Sequence, residues 1–271
     1  MTATLPPDNR RCTRGRYRVL VLAASLLSLG IATGPNLSAG ETSRYQVLDL
    51  RDAAASARTY TQQQTAILEK LNRADAAHLR RLRQLVVPLD WDENELSYSP
   101  FPIDFPAVGD APRFLIVAQR EQAFAAYEGG RLVKWGPVSS GRQAYPTPEG
   151  LVHLNWRSRG RHSTVNPNWY MEWYFNFHNT RGLALHAYDL PGRPASHACV
   201  RLLNRDAKWI FDWARGWTLD HAGRVVEPGT PLLIHGRYDF ASPPPWISLD
   251  YLRRGITLPV VPGLTAVRPT L

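Results

Sequence analysis

The chain has 271 residues, a formal net charge of +9 and two cysteines, Cys12 and Cys199. The first forty residues hold five arginines and Asp8, so about +5 remains beyond them, a balance that suits an acidic polymer or an anionic surface. Nucleic acid is disfavoured as a partner, because there is no zinc-ligand spacing, basic helix or aromatic RNA-binding pattern.

Residues 1–40 read as an export signal. Arg10, Arg11, Arg14, Arg16 and Arg18 form a basic opening, 19–32 is an apolar run, and Leu37-Ser38-Ala39 is a small-residue cleavage site. The run is shorter than the roughly 20 residues of a bilayer span, although an uncleaved anchor is the alternative. The expected location is therefore the periplasm or cell envelope. Cys12 falls in this segment, which leaves Cys199 as the single thiol beyond it, without an intrachain disulfide partner.

Residues 41–90 read as a helical region. The stretch 51–84 is rich in Ala, Gln, Arg and Leu, and Ala66, Ile67, Lys70, Leu71 and Ala74 recur at helix spacing, as do Leu79, Leu82, Leu85 and Val86. The apolar run closed by Pro88 faintly resembles the second half of a LysM glycan-binding module. Residues 91–111 are a linker carrying Pro100, Pro102 and Pro106. Strands then begin. The run 113–118 is compact and apolar, and 122–127 leads through Gly129-Gly130 into 131–135, a β-meander. The span 112–237 is long enough to bury one core. Beyond it, 238–271 is a tail with Pro243-Pro244-Pro245 that either wraps the domain or is disordered.

The centre of the sequence is Ser196-His197-Ala198-Cys199-Val200-Arg201. A lone thiol can be an inert buried group. It can also be a nucleophile, since imidazoles and cations favour thiolate, and His197 and Arg201 flank Cys199 while His186 lies thirteen residues upstream. His197 and Cys199 would share a face of a strand, so the residues alone leave either histidine as a candidate base. The histidines lack HExxH or paired-ligand spacing, and neither a metal nor another cofactor is expected.

Around this centre stand Val138-Ser139-Ser140-Gly141, Thr147-Pro148-Glu149-Gly150, an aromatic stretch over 169–175, Leu183-Ala184-Leu185-His186, Leu202-Leu203-Asn204 and Gly229-Thr230-Pro231. In that order they resemble the L,D-transpeptidase catalytic domain of bacterial cell-wall enzymes (YkuD-type). The resemblance implies an α+β fold: a mostly β sandwich with a small helix after the nucleophile, plus the N-terminal helical region. It also implies a cysteine acyltransferase acting on peptidoglycan stem peptides, with Cys199 as nucleophile, His186 as base and His197 as a structural residue. Carbapenems would be covalent inhibitors. Arg201 would meet a substrate carboxylate or depress the thiol pKa, and Ser196 would hydrogen-bond within the loop. Tyr170 and Trp173 are the expected substrate contacts, because the family's aromatic region overlies the cleft. Asn204 is expected to cap the helix that follows.

The chain departs from the family pattern at Ala198, where the family has glycine, at Ala187, and in the length of the loop between His186 and Ser196. A glycine there would permit positive φ or close backbone approach beside the oxyanion hole. Two other readings follow: an L,D-carboxypeptidase or amide hydrolase on the same fold, and a catalytically decayed wall-binding protein.

Overall fold

The computed structural model describes residues 44–259 and 261, so the expected signal segment lies outside the described residues. The first element is β1 (Tyr45–Asp49). It is followed by α1 (Ala53–Ser56), α2 (Gln62–Asn72), α3 (Ala76–Leu79) and β2 (Gln84–Pro88). The strands β1 and β2 pair antiparallel, with Val47 opposite Val86. The region expected to be helical is therefore three short helices between two paired strands. Thr61 caps α2 through a capping box with Gln64, which fixes its start. Arg73 closes α2 in the left-handed conformation at φ 56°. The run Leu85-Val86-Val87 is buried and strand-forming; its β-branched residues suit a pleated ladder, although Leu82, Leu85 and Val86 mimic helix spacing.

The rest of the chain carries β3 (Phe114–Ala118), β4 (Ala123–Glu128), β5 (Arg131–Ser139), β6 (Gly150–His153), β7 (Arg157–His162), β8 (Tyr170–His178), β9 (Leu183–Ala187) and β10 (Val200–Leu202). After these come α4 (Asn204–Trp213), β11 (Thr218–Leu219), β12 (Val225–Glu227), β13 (Pro231–His235) and α5 (Leu249–Arg254). Nine of the strands form one sheet in the order β6-β13-β3-β4-β5-β10-β9-β8-β7. The sheet is mixed: β13–β3 and β10–β9 are parallel, the other pairs antiparallel. It curls, and past β6 the chain pairs with β8 through Asn155 N–H to Asn176 O (2.7 Å) and Asn176 N–H to Trp156 O (2.9 Å).

The sequence reads directly onto the two faces of this sheet. Along β3 and β4, Leu115, Val117, Phe124 and Ala126 enter the core inside the curl, together with Val200, Leu202, Ala207 and Ile210. Their neighbours Phe114, Ile116, Ala123, Ala125 and Tyr127 enter a second core on the outer face. Burial on both faces explains why β3 is an unbroken apolar run. Emptying such a site, for example by Phe114→Ala, costs about 3–5 kcal/mol.

The proline-containing segment 91–111 is a strap over the outer core rather than a free spacer, for it buries Tyr98, Phe101, Phe105 and Val108. The tail also wraps this face: Trp246 is buried, and Ile247, Leu249 and Leu252 pack on the same cluster. Inside the curl, α4 lies against β8 and β9. Its first residue is Asn204, but the cap position is Leu203, and the Asn204 amide instead donates to Glu172 Oε2 (2.6 Å). Asn204 therefore ties α4 to β8 and does not cap the helix.

Candidate active site

Strand parity builds the site. In the parallel pair β10–β9, Val200 lies opposite Leu185 and Arg201 opposite His186. Val200 and Leu202, like Leu185 and Ala187, point into the core inside the curl. Alternation then turns Arg201 and His186 to the other face, while Cys199, the residue before β10, packs against the core and borders the same side. All three line one cavity of about 360 Å³. Cys199 forms no disulfide.

The turn leading into β10 is tightly held. Ser196 Oγ donates to the Cys199 carbonyl at 2.5 Å, and Thr147 Oγ1 reaches the same oxygen at 3.5 Å. The Ser196 N–H donates to Ser140 O (3.1 Å), and the Arg142 N–H donates to Ser196 O (3.0 Å). Gly141 makes this possible, since a Cβ there would collide with the Tyr145 carbonyl. The Gly141 N–H also donates to Thr147 Oγ1 (2.8 Å). Thus the Ser-Ser-Gly and Thr-Pro turns, which lie about fifty residues upstream, hold the turn that carries Cys199.

Ala198 adopts φ 75°, the left-handed region that favours glycine. A residue with a Cβ adopts this conformation at an intrinsic cost of about 1–2 kcal/mol. Ala198 is buried in the core inside the curl and is not among the cavity-lining residues. Burial of the methyl offsets part of the strain, and the nucleophile side of the turn stays open.

Electrostatically the pair is neutral. Burial pushes the Cys199 thiol pKa up, against weaker opposing effects of a backbone hydrogen bond from Ala184 and the Arg201 charge. Burial likewise pulls His186 down to about 4, with Arg201 adding to the effect. The His186 Nδ1 lies 3.0 Å from Ala187 O. A carbonyl only accepts, so Nδ1 carries the proton and Nε2 keeps a free lone pair. A thiol and a neutral imidazole lining one cavity are the groups that general-base catalysis of a thiol attack requires.

His197 has another environment. Its ring is flanked by Tyr145 and Trp169, each with its centroid 4.7 Å away, and Nε2 lies 2.9 Å from Arg142 Nη2. An arginine only donates, so this nitrogen is occupied as an acceptor. Burial lowers the His197 pKa, and the Arg142 and Arg201 charges add to the shift. Arg201 lies over the Tyr188 ring at 4.6 Å and lines the cavity.

The expected aromatic contacts are displaced. Tyr170 and Trp173 do not line the cavity, whereas Trp156, Trp169, Met171 and Tyr174 do. The cause is an irregularity in β8, where the register shifts between Glu172 and Phe175 and Trp173 has φ 54°. Met171 and Tyr174 consequently share a face although they are three residues apart. Trp173 turns toward α4, its ring 5.5 Å from Phe211. Arg161, Arg181 and Tyr188 also face the cavity and were not singled out from the sequence. Tyr188 was accessible by parity, being two residues beyond His186. Among the described residues, no group of three or more His, Cys, Asp or Glu side chains is arranged to hold a metal ion.

The order of these elements matches a known family. Residues 112–234 match the model of the L,D-transpeptidase catalytic domain, YkuD. A comparison with curated proteins returned no match. Similar solved structures include an L,D-transpeptidase from Stackebrandtia nassauensis (21% identity, 47% of this chain and 57% of that one, TM-score 0.38). Another is an L,D-transpeptidase from Mycobacterium tuberculosis H37Rv (20% identity, 46% and 58%, TM-score 0.37). A third is LdtMt1 in complex with imipenem (18% identity, 46% and 59%, TM-score 0.38). The chain thus spans less than two thirds of the length of these structures. On the family match and the order of its motifs, the segment 112–234 is an L,D-transpeptidase catalytic domain of the YkuD type.

Proposed function

We propose that the chain is an exported L,D-transpeptidase that cross-links or modifies peptidoglycan stem peptides through a thioester acyl-enzyme, serving cell-wall organisation and cell shape. The observation that carries this reading is the meeting of Cys199, a neutral His186 and three arginines, Arg161, Arg181 and Arg201, on one cavity. The donor amide joins the L-centre of a diamino acid to a terminal D-alanine. As the Cys199 sulfur bonds to the carbonyl carbon, its proton passes to His186 Nε2. The C–N bond then breaks, and His186 returns that proton to the departing D-alanine amine. An acceptor amine next attacks the thioester, gives its proton to His186 and forms the new amide, and the departing sulfur recovers a proton as thiol.

Arginine-lined walls suit the carboxylates of the stem peptides. The Trp156, Trp169 and Tyr174 side of the cavity offers apolar cover that favours an amine over water as acceptor. Carbapenems, as acylating agents, would modify the same thiol. The segment 1–40 would direct the chain to the periplasm or cell envelope, with Gly40 or Glu41 as the mature start; an N-terminal sequence of the secreted protein tests that.

The function is tested with a tetrapeptide donor, with and without a labelled D-amino acid, followed by mass spectrometry. Incorporated label is the expected result. Released D-alanine without incorporation, even at high label concentration, would make the chain a carboxypeptidase. Neither product from a folded protein with a reactive Cys199 would make it a decayed wall-binding protein.

A further inference from the structure

The short loop between His186 and Ser196 is pinned by the N-terminal module. Asp75 is the N-cap of α3, and its Oδ1 accepts from the His78 N–H at 3.0 Å and lies 2.8 Å from His78 Nδ1. Capping uses only that oxygen. The other oxygen, Oδ2, accepts from the Leu190 N–H at 2.8 Å, while the Asp75 backbone N–H donates to Leu190 O at 2.9 Å. Leu190 is thus paired in both directions by one residue more than a hundred positions away in sequence. Beside this clamp, Ala74 and Pro191 form a bridge, and both Ala74 and Leu190 are fully buried. Gly192, at φ 76°, lies so close to the module that a Cβ there would come 2.9 Å from Leu82 Cδ2.

What the loop carries gives the clamp its consequence. Tyr188 stands edge-on to His186, with ring centroids 6.0 Å apart, and under the Arg201 guanidinium at 4.6 Å. Asp189 O accepts from Arg201 Nη1 at 3.5 Å. Tyr188, Arg201 and His186 all line the catalytic cavity. Without Asp75, the buried Leu190 N–H would have no acceptor, and the loop would have to move to find one.

We propose that Asp75 is a positioning residue for the catalytic cavity: its clamp on Leu190 makes the N-terminal module part of the site, fixing Tyr188 and Arg201 beside His186. The effect on catalysis rests on the transpeptidase reading; the clamp itself does not. The module is then a brace on the loop that follows the base, whatever else it binds.

The test uses Asp75→Asn in the otherwise intact protein. Asparagine caps a helix as well as aspartate does, so its oxygen can stay on His78 while its amide NH₂ faces the Leu190 N–H. Thr61→Ala is the control. It removes the capping bond from the Gln64 N–H (3.2 Å) without touching the loop. In Asp75→Asn, amide exchange at Leu190 should rise about tenfold or more, and the concentration of tetrapeptide donor or carbapenem giving half-maximal acylation of Cys199 should rise about tenfold. Alkylation of the thiol by iodoacetamide should stay within about twofold, because the nucleophile's own turn is held by other bonds. Thr61→Ala should change none of these. Unchanged exchange at Leu190 in Asp75→Asn, or an acylation defect no larger than that of Thr61→Ala, would overturn the proposal. If the unaltered protein is never acylated, the transpeptidase reading fails on its own, and the exchange comparison alone decides the clamp. Should Asp75→Asn fold poorly, Gly192→Ala places a methyl against Leu82 of the same module and strains the same loop at its φ of 76°, and the same readouts apply.

Discussion

The two walls of the catalytic cavity are built differently. On one side, residues 196–201 are fixed by bonds to the Ser139–Gly141 and Thr147 turns, and Val200, Arg201 and Leu202 alternate between core and cavity. On the other, β8 shifts register against β9 around Trp173, so its cavity-facing residues follow no single period. The first wall can be read from sequence because its motif residues are contiguous and strand alternation in β9 and β10 sorts the side chains. The second depends on one residue with positive φ, which no spacing pattern announces. The first wall should accordingly govern chemistry and the second binding.

The largest expected effects fall on the first wall. Cys199→Ala should abolish turnover while leaving the fold intact, since the Cys199 bonds to Ser196 and Thr147 use its backbone carbonyl. His186→Ala should lower the acylation rate by about 10²–10⁴. His197→Ala should mainly cost stability, about 1–3 kcal/mol, through loss of its stacking and of the acceptor for Arg142. Steady-state rates and thermal melts of the three variants check this. If His197→Ala stops chemistry in a stable protein while His186→Ala does not, the histidine roles are reversed.

On the second wall, Trp169→Ala should raise KM about tenfold with little change in kcat, as loss of uniform binding does. Tyr170→Ala should change KM less than about twofold, since Tyr170 is exposed and outside the cavity. A larger effect at Tyr170 than at Trp169 would mean that the phase change in β8 is absent in solution.

A pH profile sharpens the chemistry of the first wall. With the His186 pKa near 4 in the folded state, the acylation rate at about pH 5.5 should stay within about twofold of its value at about pH 7.5. An unshifted histidine would lose about tenfold over that interval. Stability moves with the same group. Between about pH 4 and about pH 6.5 the unfolded chain binds the proton that folded His186 refuses. The contribution is therefore complete above that window and falls as pH drops through it. His186→Gln should flatten this part of the stability curve.

The smallest expected effect belongs to Ala198→Gly. Relief of the left-handed strain, loss of a buried methyl and the greater freedom of glycine in the unfolded chain nearly cancel, leaving a change within about 1 kcal/mol. Acylation should change less than about threefold, because the methyl lies in the core and away from the cavity. A gain above about tenfold would show that Ala198 obstructs the oxyanion side of the turn.

Much of the fold was legible for the same reason as the first wall. The apolar run of β3 and the glycine turn before β5 are local signals, and both elements form. The N-terminal region was misread because Leu82, Leu85 and Val86 fit two periods. The partner that decides between them, β1, lies far upstream, with Val47 paired to Val86 across the whole supposed helix. The linker character of 91–111 was read from its prolines, but burial of Tyr98, Phe101 and Phe105 depends on a sheet face that no local pattern reveals. The arginines of the cavity come from three separate segments, around 161, 181 and 201, and only folding brings them together.

Acylation of Cys199 by a stem peptide, with His186 as its base, can be observed directly. The direct measurement is intact-protein mass spectrometry after brief incubation with a tetrapeptide donor, with the modified peptide then mapped. The account predicts a mass gain equal to the donor minus D-alanine, located on Cys199, absent from Cys199→Ala and strongly reduced in His186→Ala. A folded protein whose Cys199 is alkylated by iodoacetamide yet takes no mass from the donor would contradict it.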